Sequence, residues 1–226
     1  MTVRTLFFDL DGTLTDSKPG ITACIAHALR ELGHAPPPQD QLHWCIGPPL
    51  SASFARLLGT EEPALLARAI ELYRERFSTV GLFENALYPD VAATLAAFGA
   101  GGYRQCVVTS KPQVFARRIV EHFGLAGHLE EVYGSELDGT RGDKGELIAH
   151  VLRERKLVAA EVVMIGDREH DVLGAARCGV AVIGAAWGYG GADELRRHGA
   201  RLIAGGMADL PALVGRAFAA GLPDGA

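Results

Sequence analysis

The sequence predicts an α/β fold, a doubly wound parallel sheet carrying an inserted all-helical segment, and three observations lead there. From Tyr88 onward, short apolar runs alternate with segments of helical spacing, the order that lays strands side by side with helices crossing over between them. One run, Val162-Val163-Met164-Ile165, is apolar without a break, as a strand buried on both faces should be. Between residues of about 17 and 84 the apolar spacing is helical throughout and no convincing strand occurs. An apolar first strand is therefore parted from the rest of the sheet by helices.

Thr5-Leu6-Phe7-Phe8 reads as that first strand, short, apolar and rich in aromatics. Pro19 to Leu32 places Ile21, Ile25, Leu29 and Leu32 on one helical face and closes at Gly33, a common stop signal. Pro36-Pro37-Pro38 breaks the pattern, and a weaker segment through Leu42, Trp44 and Ile46 runs into the rigid turn Gly47-Pro48-Pro49. Ser51 to Leu58 and Glu62 to Phe77 read as two further helices, the second with Leu66, Ile70, Tyr73 and Phe77 along one side. This gives a helical domain over 17–84 and an α/β core from 1–16 and 85–226.

In the core, Pro89 to Phe98 reads as a helix and Arg104 to Val108 as a strand ending in Thr109-Ser110-Lys111-Pro112. A helix from Val114 to Phe123 stops at Gly124, and Glu131 to Gly134 is a short strand. The polar loop Asp138-Gly139-Thr140-Arg141-Gly142 leads to a helix from Lys144 to about Arg155. The strand Val162 to Ile165 ends in Gly166-Asp167, and a helix follows to Cys178 with Gly179 after it. Val180 to Ile183 is another strand, and Arg201-Leu202-Ile203 a last short one. The expected architecture is a doubly wound, Rossmann-like sheet.

Composition narrows the function. At 226 residues, with 48% hydrophobic and 22% charged residues, the chain has the make-up of a globular protein with a sizeable core. A net charge of −5 without any run of lysine and arginine gives no footprint for nucleic acid or an anionic membrane. No apolar stretch is long enough to span a bilayer, and no signal-peptide pattern precedes Val3-Arg4-Thr5. The four cysteines, Cys24, Cys45, Cys106 and Cys178, form no C-x-x-C pair; they read as reduced thiols of a cytoplasmic protein. The eight histidines show no zinc-ligand spacing.

Ligands of a doubly wound sheet bind beyond the carboxyl ends of its strands, and the chemically suggestive residues follow strand ends. Asp9 and Asp11 sit one residue apart where the first strand stops, ahead of Gly12. In an extended chain such side chains point the same way. Two anions that close usually hold a cation or keep one acid protonated, although Asp-Gly also marks an ordinary turn. Thr109 and Ser110 stand at the mouth of a helix whose Pro112 suits its first turn. Ser110 reads as an N-cap, an anion site, or both. Asp143 with Glu146 resembles a capping box and puts Lys144 in the first turn. A cation there opposes the helix dipole by ~0.3–1 kcal/mol, and a nearby anion explains it better than solvent does. Asp167 ends the most hydrophobic strand, and Asp171 lies over the following first turn, suited to orienting the site or capping the helix; His170 stands between a supporting role and a plain surface position. Acids, hydroxyls and a lysine fit together around a phosphate monoester and Mg²⁺.

The series D-x-D-G-T-L-T, V-V-T-S-K, a lone lysine and I-G-D-R-E-H-D resembles the haloacid dehalogenase superfamily. It is most similar to the phosphoglycolate phosphatase-like branch, which carries a helical cap after the first strand. Ile46-Gly47-Pro48-Pro49-Leu50 and Trp187-Gly188-Tyr189-Gly190 add to the likeness, which covers nearly the whole chain. The resemblance implies a Mg²⁺-dependent phosphatase acting on a small phosphorylated metabolite, phosphoglycolate-like or a 5′-nucleotide. By it, Asp9 is the nucleophile that forms an aspartyl-phosphate, and Asp11 the acid and base. Mg²⁺ is held by Asp9, the backbone carbonyl of Asp11, and Asp167, with Asp171 nearby. Gly12, Thr109, Ser110 and Lys144 hold the phosphoryl group. Lys18, Gly47 and Arg56 are candidates for substrate contacts from the cap. Asp11 sets the chain apart from dehalogenase members, which lack an acid there. Gly145 departs from the proline that often follows the lysine in phosphoglycolate phosphatases, which weakens that substrate. A phosphomutase of the same superfamily shares every motif. A receiver-like signalling module also gathers acids, a hydroxyl and a lysine, but in a chain about half as long and uninterrupted after its first strand.

Overall fold

A computed structural model describes residues 4–219. In chain order its elements are β1 (Thr5–Phe8), β2 (Thr15–Asp16), α1 (Lys18–Glu31), α2 (Leu50–Leu58), α3 (Pro63–Arg76), β3 (Ala86–Leu87), α4 (Val91–Ala100), β4 (Arg104–Pro112) and α5 (Gln113–His122). They continue as β5 (Glu131–Ser135), α6 (Lys144–Arg155), β6 (Val162–Gly166), α7 (Glu169–Arg177), β7 (Ala181–Ala185), α8 (Gly191–Arg197), β8 (Leu202–Ala204) and α9 (Leu210–Ala219). The chain divides into two compact units, one of Met1–Thr15 with Leu87–Ala226 and one of Asp16–Ala86.

The larger unit holds a six-stranded sheet in the order β5-β4-β1-β6-β7-β8, parallel at every pairing. Sequence and space disagree at its centre: the chain builds outward from β1 through β4 to β5, then crosses back and builds the other way through β6. Such a reversal is a topological switch point, where strand ends splay and ligands bind. Every residue of β1 and of β6 is buried, which is why their sequences are apolar rather than alternating. On one face Phe7, Val108 and Met164 pack with Leu147, Ile148 and Val151 of α6 and Ala175 of α7. The sheet is Rossmann-like, with helices packed along it, and the predicted fold class holds.

The other unit is helical. α1 packs on α3, and Phe54 of α2 meets Tyr73 edge-on at 6.4 Å while Tyr73 stacks on Phe77 at 5.2 Å. Such ring pairs add roughly 0.5–1.5 kcal/mol each beyond their burial.

Several boundaries differ from the sequence reading. Thr109-Ser110-Lys111-Pro112 continues β4 instead of opening a helix. α5 starts at Gln113, with Pro112 extended at φ −53°, ψ 129° as its N-cap, so Ser110 caps nothing. α4 begins at Val91, two residues later than expected, because Asp90 takes a left-handed φ of +64°. The weak segment around Trp44 is a 3₁₀ helix over Gln39–Cys45, and α3 ends in a π-helical turn over Phe77–Gly81. The short helices α8 and α9 have no counterpart in the sequence reading; α8 is only 7 residues long, and α9 has Pro211 and Gly215 within it, which blur its signal.

Candidate active site

The central strands end side by side. Phe8 pairs with Val107 on one side and Ile165 on the other, so Asp9 and Asp167, just past the ends of β1 and β6, emerge at the same edge of the sheet as Thr109 of β4. Asp9 still donates its N–H to Ile165 O at 2.9 Å, so the first acid leaves the sheet in register with β6.

Asp9, Asp167 and Asp171 form one cluster, with an oxygen of each within 4.8 Å of the others. Asp167 is wholly buried and Asp171 nearly so. Asp167 Oδ2 accepts the Tyr189 N–H at 2.7 Å, and its Oδ1 accepts the Thr13 hydroxyl at 3.4 Å. Trp187 in turn donates Nε1–H to Thr13 O at 3.1 Å, tying the segment after β7 to the turn after β1. Asp171 sits in the first turn of α7 and accepts the Arg168 N–H at 3.1 Å, a cap and a cluster member at once.

Lys144, 4% exposed, opens α6 behind Asp143, whose carboxylate accepts the Glu146 N–H at 2.9 Å. That is one half of the expected capping box. Lys144 Nζ donates to Asp9 Oδ1 at 2.8 Å and to Val108 O at 3.0 Å, and lies 2.8 Å from Asp171 Oδ1. Burial alone would lower the lysine, but Asp171 and Asp9 outweigh it and leave the ammonium held above its usual range. The misplaced helix-end cation therefore answers two buried acids.

One ammonium does not balance three carboxylates. Burial pushes Asp167 well above the ordinary carboxyl value, and Asp171 and Asp9 push it further. Burial also raises Asp171, against the pull of Lys144. Asp171 Oδ1, deep in the cluster, has Lys144 Nζ as its ion-pair partner at 2.8 Å. Three hard carboxylates gathered around one ammonium, two of them disfavoured as anions by burial, are a donor set that a divalent cation fits.

Asp11 goes elsewhere. Its carboxylate is gripped by Lys111 Nζ at 2.7 and 3.0 Å, outside the acid cluster. Lys111 stands in the T-S-K run, where the motif by itself assigns it no role. The signal was there, a lysine directly after two hydroxyl residues at a strand end, but lysines beside strands are usually solvated. Thr13 and the Tyr189 N–H were also missed; a backbone donor leaves no mark in a sequence.

Gly12 has φ +85°, and a Cβ there would come within 2.2 Å of Asp167 Oδ2. Both facts demand glycine. Thr109 is buried and its hydroxyl accepts the Lys111 N–H at 3.3 Å, while Ser110 O accepts the Ser135 hydroxyl at 2.9 Å. His170 is exposed. Lys18, Gly47 and Arg56 all lie in the helical unit: Lys18 begins α1, Gly47 has φ +106°, and Arg56 stacks over Trp44 at 4.1 Å.

Acids gathered beyond the carboxyl edge of a Rossmann-like parallel sheet are the mark of an α/β enzyme. Residues 6–185 match the model of the family described as haloacid dehalogenase-like hydrolase, and the chain belongs to that family and is a hydrolase of the phosphatase type. It is 48% identical over 193 residues to a 5′-nucleotidase of Pseudomonas aeruginosa, covering 85% of this chain and 87% of that one. It is 41% identical over 198 residues to the tyrosine-protein kinase PtkA of Mycobacterium tuberculosis, covering 88% and 67% of the two chains. Among solved structures, one described as a predicted phosphatase from Clostridium acetobutylicum superposes with a TM-score of 0.90 at 35% identity, covering 95% of this chain and all of that one. No helix among the described residues is long and apolar enough to cross a membrane.

Proposed function

We propose that this protein is a Mg²⁺-dependent phosphatase that hydrolyses a small phosphate monoester, a 5′-nucleotide before phosphoglycolate, through an aspartyl-phosphate on Asp9. The observation that carries the reading is the buried cluster of Asp9, Asp167 and Asp171 opposed by a single lysine. The nucleotide preference is supported by the 48% identical 5′-nucleotidase and by Gly145 following Lys144. A cytoplasmic location is supported by four free cysteines, three of them buried.

Asp9, Asp167 and Asp171 would hold Mg²⁺, with the Asp11 carbonyl as a further oxygen; when bound, the ion offsets repulsion between these acids and an incoming phosphate dianion. Asp9 presents a carboxylate oriented by Lys144, suited to attack on phosphorus. In the first half-reaction an oxygen of Asp9 bonds to phosphorus, and the bridging P–O pair leaves with the alcohol oxygen, which takes a proton from Asp11. In the second, Asp11, now a carboxylate, takes a proton from the water that attacks the aspartyl-phosphate, and inorganic phosphate departs from Asp9. Lys144, the Thr109 and Ser110 hydroxyls and the Gly12 turn would bind the equatorial oxygens, where charge accumulates. Lys18, Gly47 and Arg56 of the helical unit would choose among substrates.

A panel of 5′-nucleotides, sugar phosphates and phosphoglycolate, assayed for phosphate release with Mg²⁺, tests the proposal. We expect release without any bisphosphate activator, favouring nucleotides, and a loss of at least about a thousandfold in Asp9→Asn. Substantial turnover in that variant would remove Asp9 as the nucleophile. The PtkA relative raises a second acceptor, a tyrosine hydroxyl in place of water. Transfer of label from ATP to a tyrosine-bearing protein, without release of phosphate from the monoesters, would favour that reading instead.

A further inference from the structure

We infer that Lys111 is a positioning residue that fixes the carboxylate of Asp11 for the proton it takes from the attacking water, an inference that rests on the acid–base role proposed for Asp11. Its side chain is 6% exposed and that of Asp11 14%, so the pair is largely sealed from solvent and cannot be dismissed as a weak surface bridge. One ammonium reaching both carboxylate oxygens, at 2.7 and 3.0 Å, holds the carboxylate in place and turns its two oxygens toward β4.

The backbone that presents Lys111 is itself built to stay still. β4 runs on past Val108, and its pairing with β5 shifts register between Val108 and Pro112. The extension is pinned from β5, where the Ser135 hydroxyl donates to Ser110 O at 2.9 Å. Gly134 packs so tightly that a Cβ there would lie 2.5 Å from Lys111 O. Lys111 N–H donates to Thr109 Oγ1 at 3.3 Å. A lysine on a loose loop could hold an anion, but only a lysine on a clamped strand can hold a neighbour's carboxylate in a fixed place. The effect of this grip is to keep Asp11 apart from Asp9, Asp167 and Asp171, where it would be a fourth anion, and to leave it aimed while those three acids do other work.

The test is a double-mutant cycle of Lys111→Met and Asp11→Asn, with Lys111→Arg as the conservative variant, assayed on one monoester with Mg²⁺ and checked for folding by circular dichroism. A misplaced catalytic group costs up to about a hundredfold. We expect Lys111→Met to lower kcat about 10- to 100-fold, with KM and the inhibition constant of inorganic phosphate within about threefold of wild type. Lys111→Arg should recover part of the loss, and the double variant should be no slower than Asp11→Asn alone, because Lys111 acts through Asp11. Fully multiplicative losses, or a Lys111→Met defect seen chiefly in KM and in phosphate inhibition, would overturn the inference and make Lys111 a phosphate ligand. If Asp11→Asn itself leaves turnover intact, the acid–base reading fails first, and this inference with it.

Discussion

At Asp167 the chain buries a carboxylate against its own electrostatic preference. The Thr13 hydroxyl and the Tyr189 N–H answer its oxygens, yet burial and the neighbouring acids still hold its carboxyl well above the usual range. The sign follows directly. A carboxyl whose folded value is raised costs stability at pH above its unfolded value of about 3.9, and the cost disappears only as it protonates. Asp167→Asn keeps the shape and removes the charge. In chelator at pH 7.5 we expect its Tm to rise by roughly 2–4 °C, the equivalent of about 1 kcal/mol in a chain of this size, while phosphate release is lost. A fall in Tm would mean that the carboxylate is stabilising and that the cluster is not the strained site described above.

Elements show the same logic in the helical unit, away from the acids. Arg76, the last residue of α3, reaches past the π-helical turn to Glu84 with both guanidinium nitrogens, at 2.7 and 2.8 Å. The fork geometry makes this the strong form of an ion pair. It holds Glu84 below the ordinary carboxyl value, chiefly through the hydrogen bonds from Arg76. Because the folded value is depressed, this contribution is complete above the unfolded value of about 4.3 and is lost as pH falls through the folded one. Glu84 is about one-third exposed, so solvent screens the pair and its worth is under about 1 kcal/mol. Thermal melts of wild type and Glu84→Gln between pH 7 and 3 should show wild type the more stable at pH 7 and the difference closing below about pH 4. A gap unchanged across that range would place the stabilisation in packing rather than charge.

For the molecule as a whole, the proposed ion should act on folding as well as on turnover. Three acids that repel one another in the metal-free protein become a binding site, so Mg²⁺ at about 100 times its Kd should stabilise by ~2.7 kcal/mol, or roughly 5–10 °C in Tm. Asp167→Asn should abolish most of that shift. Excess chelator should abolish phosphate release, and full turnover in chelator would remove the metal from the mechanism. The melting curve reads binding without reference to catalysis, so the two halves of the prediction can fail separately.

Much of this was legible in the sequence because it depends on local patterns. The unbroken run Val162–Ile165 announced a strand covered on both faces, and Asp143 before Lys144 announced a capped helix, since these signals lie within a few neighbouring residues. The acid motifs pointed to Asp9, Asp11 and Asp167 for a similar reason: each follows a strand, and a parallel sheet brings strand ends to one edge. The tertiary structure alone decided which acids share a cluster, because Asp9, Asp167 and Asp171 meet only through the β1–β6 register. It also decided that Thr109 to Pro112 extends β4 and sends Lys111 to Asp11. Sequence signals of strand and helix are set by nearest neighbours along the chain; which ammonium meets which carboxylate across 100 residues is set by the strand order that folds them together.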